Sequence, residues 1–301
     1  MLWLRTLADF RAFHSAHILA HQGIHAAVFG IGLGGNIFQL VAYLQSRLKD
    51  TPPPASFISH SLPCGASWLR TQWVDQLTNA VGQSKGPVIA LALASKGSQS
   101  FRGRAAVATW NCAAFRAPLV VRRCGHGGFW RHFAGDRYMG DHRARIEIEH
   151  SHRMQQLGIA TPEIVGVVFY KSGLFTRMDF LTVQVPQSVD FVAFLASQPT
   201  VPQRKAALEA VRGLLAKCAE HGLLHKDLNA RNILLANADH STLAYLLDVE
   251  DVVWAPQQVE HTRAANLARL ARSMHKRVRK GDIALTAQQL QALISELKSH
   301  A

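Results

Sequence analysis

Paired cysteines are missing. Cys64, Cys112, Cys124 and Cys218 are the only four in 301 residues, and none has the close spacing of a zinc site or a disulfide framework. A reducing, cytoplasmic setting fits this usage. Acidic residues are scarce too: 20 Asp and Glu stand against 33 Lys and Arg, a formal net charge of +13. Such a surplus favours anionic partners (nucleic acid, anionic lipid, phosphorylated substrates) and says nothing about fold. Signal-peptide form is poor, because Asp9 comes early and the apolar run late. The length allows a large core, in one bilobal domain or in two domains.

No Asp, Glu, Lys or Arg occurs between Arg11 and Arg47. Within that stretch Ile24 to Leu44 approaches the character of a membrane span, but His25, Asn36, Gln39 and four glycines interrupt it. Gly30, Gly32 and Gly35 also have the spacing of a dinucleotide-binding turn. No second strand with a ribose-binding acid follows, since Asp50 runs into Thr51 and Pro52-Pro53-Pro54. Three readings stay open: a packed structural segment, a membrane-associated helix, and a nucleotide turn. The prolines mark a boundary. Residues 1–80 read as an extension of uncertain role, with Trp68 to Val81 as a short helix.

The stretch from Ala219 to Asp251 carries the chemistry. An apolar helix runs into His225-Lys226-Asp227-Leu228-Asn229-Ala230-Arg231-Asn232, and two short apolar runs follow, Ile233 to Leu235 and Leu243 to Leu247, before Asp248. Those runs are a hairpin signal, although no Asn-Gly fixes the turn. Pairing them brings Asn232 and Asp248 to one end, with Asp227 just ahead. This supplies one general base, Asp227, and two oxygen ligands, Asn232 and Asp248, of the kind Mg2+ takes together with waters and substrate phosphates. His-x-Asp, an Asn five residues later and an Asp closing a strand form the phosphotransfer signature of kinase-like folds. A buried polar turn capped by Asp227 is the plainer alternative.

At these residues the chain resembles the bacterial lipopolysaccharide kinase family. The words that carry the likeness are His225 to Leu235, Leu247-Asp248-Val249-Glu250, Gly127-Gly128-Phe129, Asp136 to Met139, Glu147 ahead of Leu157-Gly158 and Pro162, and Asn266 to Ser273. It covers roughly residues 95 to 281. The resemblance implies an α+β, bilobal protein-kinase-like fold, with a small β-rich N-lobe over residues 81–185 and a helical C-lobe over 186–301. It implies ATP and Mg2+ as cofactors. As acceptor it implies 3-deoxy-D-manno-octulosonic acid (Kdo) on a lipid A precursor, met at the cytoplasmic face of the bacterial inner membrane, with no nucleic acid partner.

The small lobe is expected to open with a strand at Val88 to Leu93, a basic turn from Lys96 to Arg104 containing Gly97 and Gly103, and a strand at Ala105 to Trp110. Glycines there let backbone N–H groups approach phosphate. Leu119 to Arg123 is the third strand. It holds Arg122 where kinases usually place a Lys paired with a Glu on the next helix, and arginine grips phosphate bidentately. Val120 shares its face and is placed to roof adenine. Glu147, or alternatively Glu149, is the expected partner of Arg122 in a helix from about Arg143 to Leu157. The loop from Gly125 to Gly128 is a candidate substrate-side connection. Strands at Val165 to Tyr170 and Arg177 to Val185 lead to the lobe crossover, where backbone groups of Val183 and Val185 are candidate adenine contacts.

In the large lobe, a helix capped by Thr200 with Pro202 in its first turn runs to His221 and is stopped by Gly222. Val259 to Lys280 is helical and strongly basic, which suits an anionic membrane surface; a solvated face of a core helix reads the same way. His225 orients the loop, Lys226 supplies a cation beside Asp227, and Glu250 or Asp251 is expected to assist the metal. Two other readings remain: a kinase of heptose or another small molecule, and a catalytically silent kinase-like binding module that uses its basic surface.

Overall fold

The computed structural model describes residues 52–101, 106–125, 136–138, 140–173, 175–238 and 241–298. The 24–44 segment, Gly103 and the 126–128 stretch lie outside them. Residues from Pro52 onward belong to one compact unit.

Seven antiparallel strands form the first half: β1 (Phe57–Leu62), β2 (Gly65–Arg70), β3 (Ser100–Phe101), β4 (Val107–Trp110), β5 (Leu119–Arg123), β6 (Ile164–Ser172) and β7 (Phe175–Val183), in the order β1-β2-β6-β7-β5-β4-β3. Alternation sorts their side chains. In β5, Leu119 and Val121 are fully buried on one face, whereas Val120 and Arg122 point to the other. Two of these strands come from before residue 81, so the stretch expected to be an appendage supplies an edge of the sheet. Trp68 lies in β2, opposite Val167, and only Val74–Val81 of the helix expected from Trp68 is α-helical; it is α1.

The expected strand at Val88 to Leu93 is a helix, α2 (Val88–Ala94). Its sequence, Val-Ile-Ala-Leu-Ala-Leu-Ala, is apolar throughout, so a period of two cannot be read from it. Alanine and leucine have high helix propensity, and Val88, Ile89 and Ala92 are buried while Leu93 is exposed, a helical rather than an alternating pattern. With α1 it covers the Leu119/Val121 face of the sheet. The opposite face packs against α3 (His142–Gln156) through Ala144 and Ile148.

Asp179 of β7 is wholly buried and ties α2 to the sheet. Its carboxylate binds the Arg123 guanidinium, accepts from the Tyr170 hydroxyl at 2.9 Å and accepts from the Ile89 backbone N–H at 3.0 Å. The same hydroxyl accepts from the Val88 N–H at 2.9 Å. The first free amides of α2 are thus satisfied by β-sheet side chains.

The second half is mainly helical. Asp190, ending β8 (Ser188–Asp190), caps α4 (Phe191–Ala196) by accepting from Val192 and Ala193. The long helix α5 (Val201–Glu220) begins at Thr200 in a capping box with Gln203. Gly222 follows at φ 65°, where a Cβ would lie 2.3 Å from the Ala255 carbonyl, so only glycine fits the turn. Then come β9 (Leu223–His225), β10 (Ile233–Ala238), β11 (Ser241–Leu246) and β12 (Val252–Trp254), with α6 (Val259–Arg279) and α7 (Ala287–Lys298) closing the apolar core. The expected hairpin is β10–β11, with Ile233 opposite Leu246.

Replacing Asp179 by Ala removes the buried partner of Arg123, leaves it only the longer contact to Asp136 at 3.3 Å, and unties α2. Removal of one partner of a buried ion pair costs about 3–5 kcal/mol. Urea denaturation of Asp179→Ala is expected to show a loss of that size; a midpoint within error of wild type would show that the network holds nothing.

Candidate active site

The loop after β9 is fixed from below. Buried Asn266 on α6 accepts from the His225 N–H at 3.0 Å and donates to the Leu223 carbonyl at 2.8 Å. Ser273, two turns on, accepts from the Ala230 N–H at 3.1 Å. Asn266 falls in register with the buried Leu270 and Met274. A polar residue inside an apolar helical stripe was the sequence signal for this anchor.

His225 is almost fully buried, and its Nε2 bonds the Leu247 carbonyl at 3.1 Å. A carbonyl only accepts, so Nε2 carries the hydrogen. Among the described residues Nδ1 has no partner. Burial lowers the His225 pKa, opposed by the Leu247 carbonyl and the Asp248 and Asp227 carboxylates. The ring is a neutral strut that joins the loop to the end of β11.

Asp227 is exposed. Its backbone carbonyl accepts from the Asn232 side-chain amide at 3.1 Å and from Asn229 at 3.3 Å. The Asn232 carbonyl accepts from the Leu247 N–H at 2.8 Å, one residue before Asp248. Two hydrogen bonds thereby bring Asp227, Asn232 and Asp248 together at the end of the β10–β11 hairpin. Asp248 is left-handed, φ 59° and ψ 50°, a conformation uncommon outside glycine that marks a locally over-determined backbone. Among the described residues no three His, Cys, Asp or Glu side chains converge as an all-protein metal cage. The hard oxygens of Asn232 and Asp248 suit an ion such as magnesium, which completes its shell with water and phosphate.

On the sheet side, Arg122 of β5 binds Glu147 of α3, and its guanidinium lies 5.1 Å from the Phe180 ring centre. Glu149 is exposed on another face of the helix. Burial works against the Arg122 charge, but Glu147, Cys124 and Asp248 more than offset it, so its pKa is raised. Arg122 therefore feels carboxylates from both halves.

Several expectations change. Gly97 sits in a turn between α2 and β3, with its carbonyl accepting from Asn111 at 3.1 Å. Because the preceding segment is a helix, Gly97 lies at the open end of the β3–β4 pair; residues 102–105, Gly103 among them, are outside the described residues. The Val183 N–H is taken by the Glu163 carbonyl at 2.9 Å and the Gln184 N–H by Pro118 at 2.9 Å. The Val183 N–H is therefore not free to donate to adenine. Glu250 binds Arg143 instead of standing free beside Asp248, and Asp251 offers its carbonyl to the Lys226 N–H at 2.9 Å. The Glu250 pKa is pushed up to about 7, first by burial and then by Glu147 and Asp248, against Arg143. Lys226 is exposed next to Asp227, with Arg269 donating to its carbonyl at 3.1 Å. Val120 is half-buried on the same face of β5 as Arg122.

A model of the lipopolysaccharide kinase (Kdo/WaaP) family matches residues 99–296, well over half of the chain. The chain belongs to the lipopolysaccharide kinase (Kdo/WaaP) family. A 3-deoxy-D-manno-octulosonic acid kinase of Haemophilus influenzae (strain 86-028NP) is 29% identical over 180 residues, covering 58% of this chain and 73% of the relative. The Pasteurella multocida (strain Pm70) kinase of the same description is 28% identical over 186 residues, covering 60% and 75%. A solved structure described as WaaP in complex with acyl carrier protein superposes with a TM-score of 0.43 at 17% identity, over 71% of this chain and 83% of that one. As a member of the lipopolysaccharide kinase family, the chain is a phosphotransferase with a bilobal, kinase-like α+β fold.

The neutral strut has a pH signature. A histidine whose folded pKa is depressed takes up a proton more readily when unfolded, so stability is lost as pH falls below the ordinary histidine value of about 6.5. Melting temperatures measured from pH 7.5 to 5.5 are expected to fall less steeply in His225→Gln than in wild type. Parallel slopes would mean that His225 titrates alike in both states.

Proposed function

We propose that this lipopolysaccharide kinase transfers the γ-phosphate of ATP to a hydroxyl of Kdo on a lipid A precursor. The observation that carries the reading is the meeting of Asp227, Asn232 and Asp248 at one hairpin end, with the Arg122–Glu147 pair alongside.

In this mechanism Asp227, exposed and unencumbered by the loop's own backbone bonds, accepts the proton of the attacking hydroxyl. The new oxygen–phosphorus bond forms as the bond to the β-phosphate oxygen breaks, and ADP leaves. Asn232 and Asp248 would hold magnesium, which supplies charge neutralisation on the phosphates when bound. Arg122, fixed by Glu147, and Lys226 add positive charge. Val120 and the Val183 and Val185 backbone meet the adenine. Little covalent chemistry falls to the protein, so positioning supplies most of the rate.

The acceptor assignment draws on the relatives, which are named as Kdo kinases. Surface charge agrees with it. Helix α6 is tied to the loop through Arg269 and Ser273, and it exposes Arg272, Lys276, Arg279 and Lys280. An anionic glycolipid at the cytoplasmic membrane face would meet this basic stripe beside Asp227. Among the described residues no helix is long and apolar enough to cross a membrane.

Transfer of labelled γ-phosphate to a Kdo-bearing lipid A precursor, with a Kdo-free lipid as control, tests the reading. Product is expected from the first lipid alone. Asp227→Asn should keep the ATP-induced thermal shift and lose turnover by roughly 10²- to 10⁴-fold. Near wild-type transfer by that variant would remove Asp227 from the base role. Absence of any ATP response in the wild type would favour a binding module, and labelling of both lipids a different acceptor.

A further inference from the structure

Arg143, Glu147 and His150 lie four and three residues apart on α3 and so share one face. Glu147 reaches across to Arg122 on β5, as described. The other two reach the segment after Asp248: Arg143 binds the Glu250 carboxylate, and His150 Nδ1 bonds the Val249 carbonyl at 2.9 Å. Asp248 lies between these ties and the bonds that fix Leu247 from the other side.

Glu250 stands two residues after Asp248, where the Asp-Phe-Gly triplet of protein kinases has glycine. Glycine offers no side chain to hold. Here the position carries a carboxylate whose side chain is 18% exposed, bound to an arginine side chain that is 19% exposed. Burial makes the pair asymmetric: taking away Arg143 leaves the Glu250 carboxylate desolvated without its cation, whereas Arg143 without Glu250 keeps the Tyr138 hydroxyl, to which it donates at 2.8 Å. The pair thus fastens α3 to the turn that carries the left-handed Asp248, and the same helix fixes Arg122.

We propose that Arg143 and Glu250 are positioning residues whose ion pair couples α3 to the Asp248–Asp251 turn, so that Arg122 and Asp248 are held in register as one unit. The role in turnover rests on the kinase reading above; the mechanical coupling does not.

Steady-state kinetics and amide hydrogen exchange on the full chain test both parts, using Glu250→Gln, Arg143→Met, their double variant and the conservative Arg143→Lys. Each single neutral variant should lose roughly 10- to 100-fold in kcat through misplacement of the phosphate-facing groups. The double variant should be no worse than the poorer single one, because residues acting through one contact are non-additive. Arg143→Lys should recover part of the loss. Exchange should quicken in residues 142–156 and 247–252 together. Wild-type kcat in both single variants, or losses that multiply in the double one, would overturn the proposal, as would faster exchange with kcat intact. If the wild-type chain transfers no phosphate to any acceptor, the kinase reading has failed instead. The exchange arm then still decides the coupling, which unchanged exchange in Glu250→Gln would refute.

Discussion

Asn232 bonds in two directions, and the site depends on both. Its side-chain amide holds the Asp227 carbonyl, and its own carbonyl holds the amide ahead of Asp248. A buried polar backbone needs such partners in any case; here the partners belong to two segments, separated by a hairpin, that these bonds bring to one end of it. His225 repeats the link one layer deeper, and Asn266 anchors that layer to α6. The result is a loop with exposed side chains on a backbone that has little freedom, which is what a positioned catalytic group requires.

Charge is handled differently in the two halves. The half built on the seven-stranded sheet buries two carboxyl groups, Glu147 and Asp179, and pairs each with one of two neighbouring strand arginines, Arg122 and Arg123. Adjacent residues on a strand face opposite sides, so these two arginines serve opposite faces of the sheet: one faces α3 and the site, the other anchors α2 across the back. Among the described residues, the half from β8 onward buries no Asp, Glu, Lys or Arg and displays basic residues along α6. Desolvated ion pairs thus occur where elements must be held in register, and solvated cations where an anionic partner would arrive.

Much of this was legible in the residues. A partner for Arg122 on the next helix was expected as Glu147 or Glu149, and only the fold selected Glu147; Thr200, Pro202, Gly158 and Gly222 set helix ends by local conformational rules. The hairpin was visible as two apolar runs around a polar turn. The segment from Val88 misled because an all-apolar run has no period by which to tell strand from helix. Its misreading also displaced Gly97 from a hairpin tip to a helix–strand junction. The strands β1 and β2 were missed because short, mixed stretches such as Phe-Ile-Ser-His-Ser-Leu announce little until a partner strand is known.

Sequence alone determined the candidate inventory: Asp227, Asn232, Asp248 and Arg122, at spacings that local backbone rules convert into loop, hairpin and strand. Those rules act over a few residues, so they survive without knowledge of the fold. Tertiary structure alone decided which acids are shared with which cations, that Glu250 faces Arg143 rather than the Asp248 side, and that the stretch after Pro54 completes the sheet. These are contacts between residues 25 or more positions apart, and their energy depends on desolvation and distance, quantities that exist only once the chain has packed.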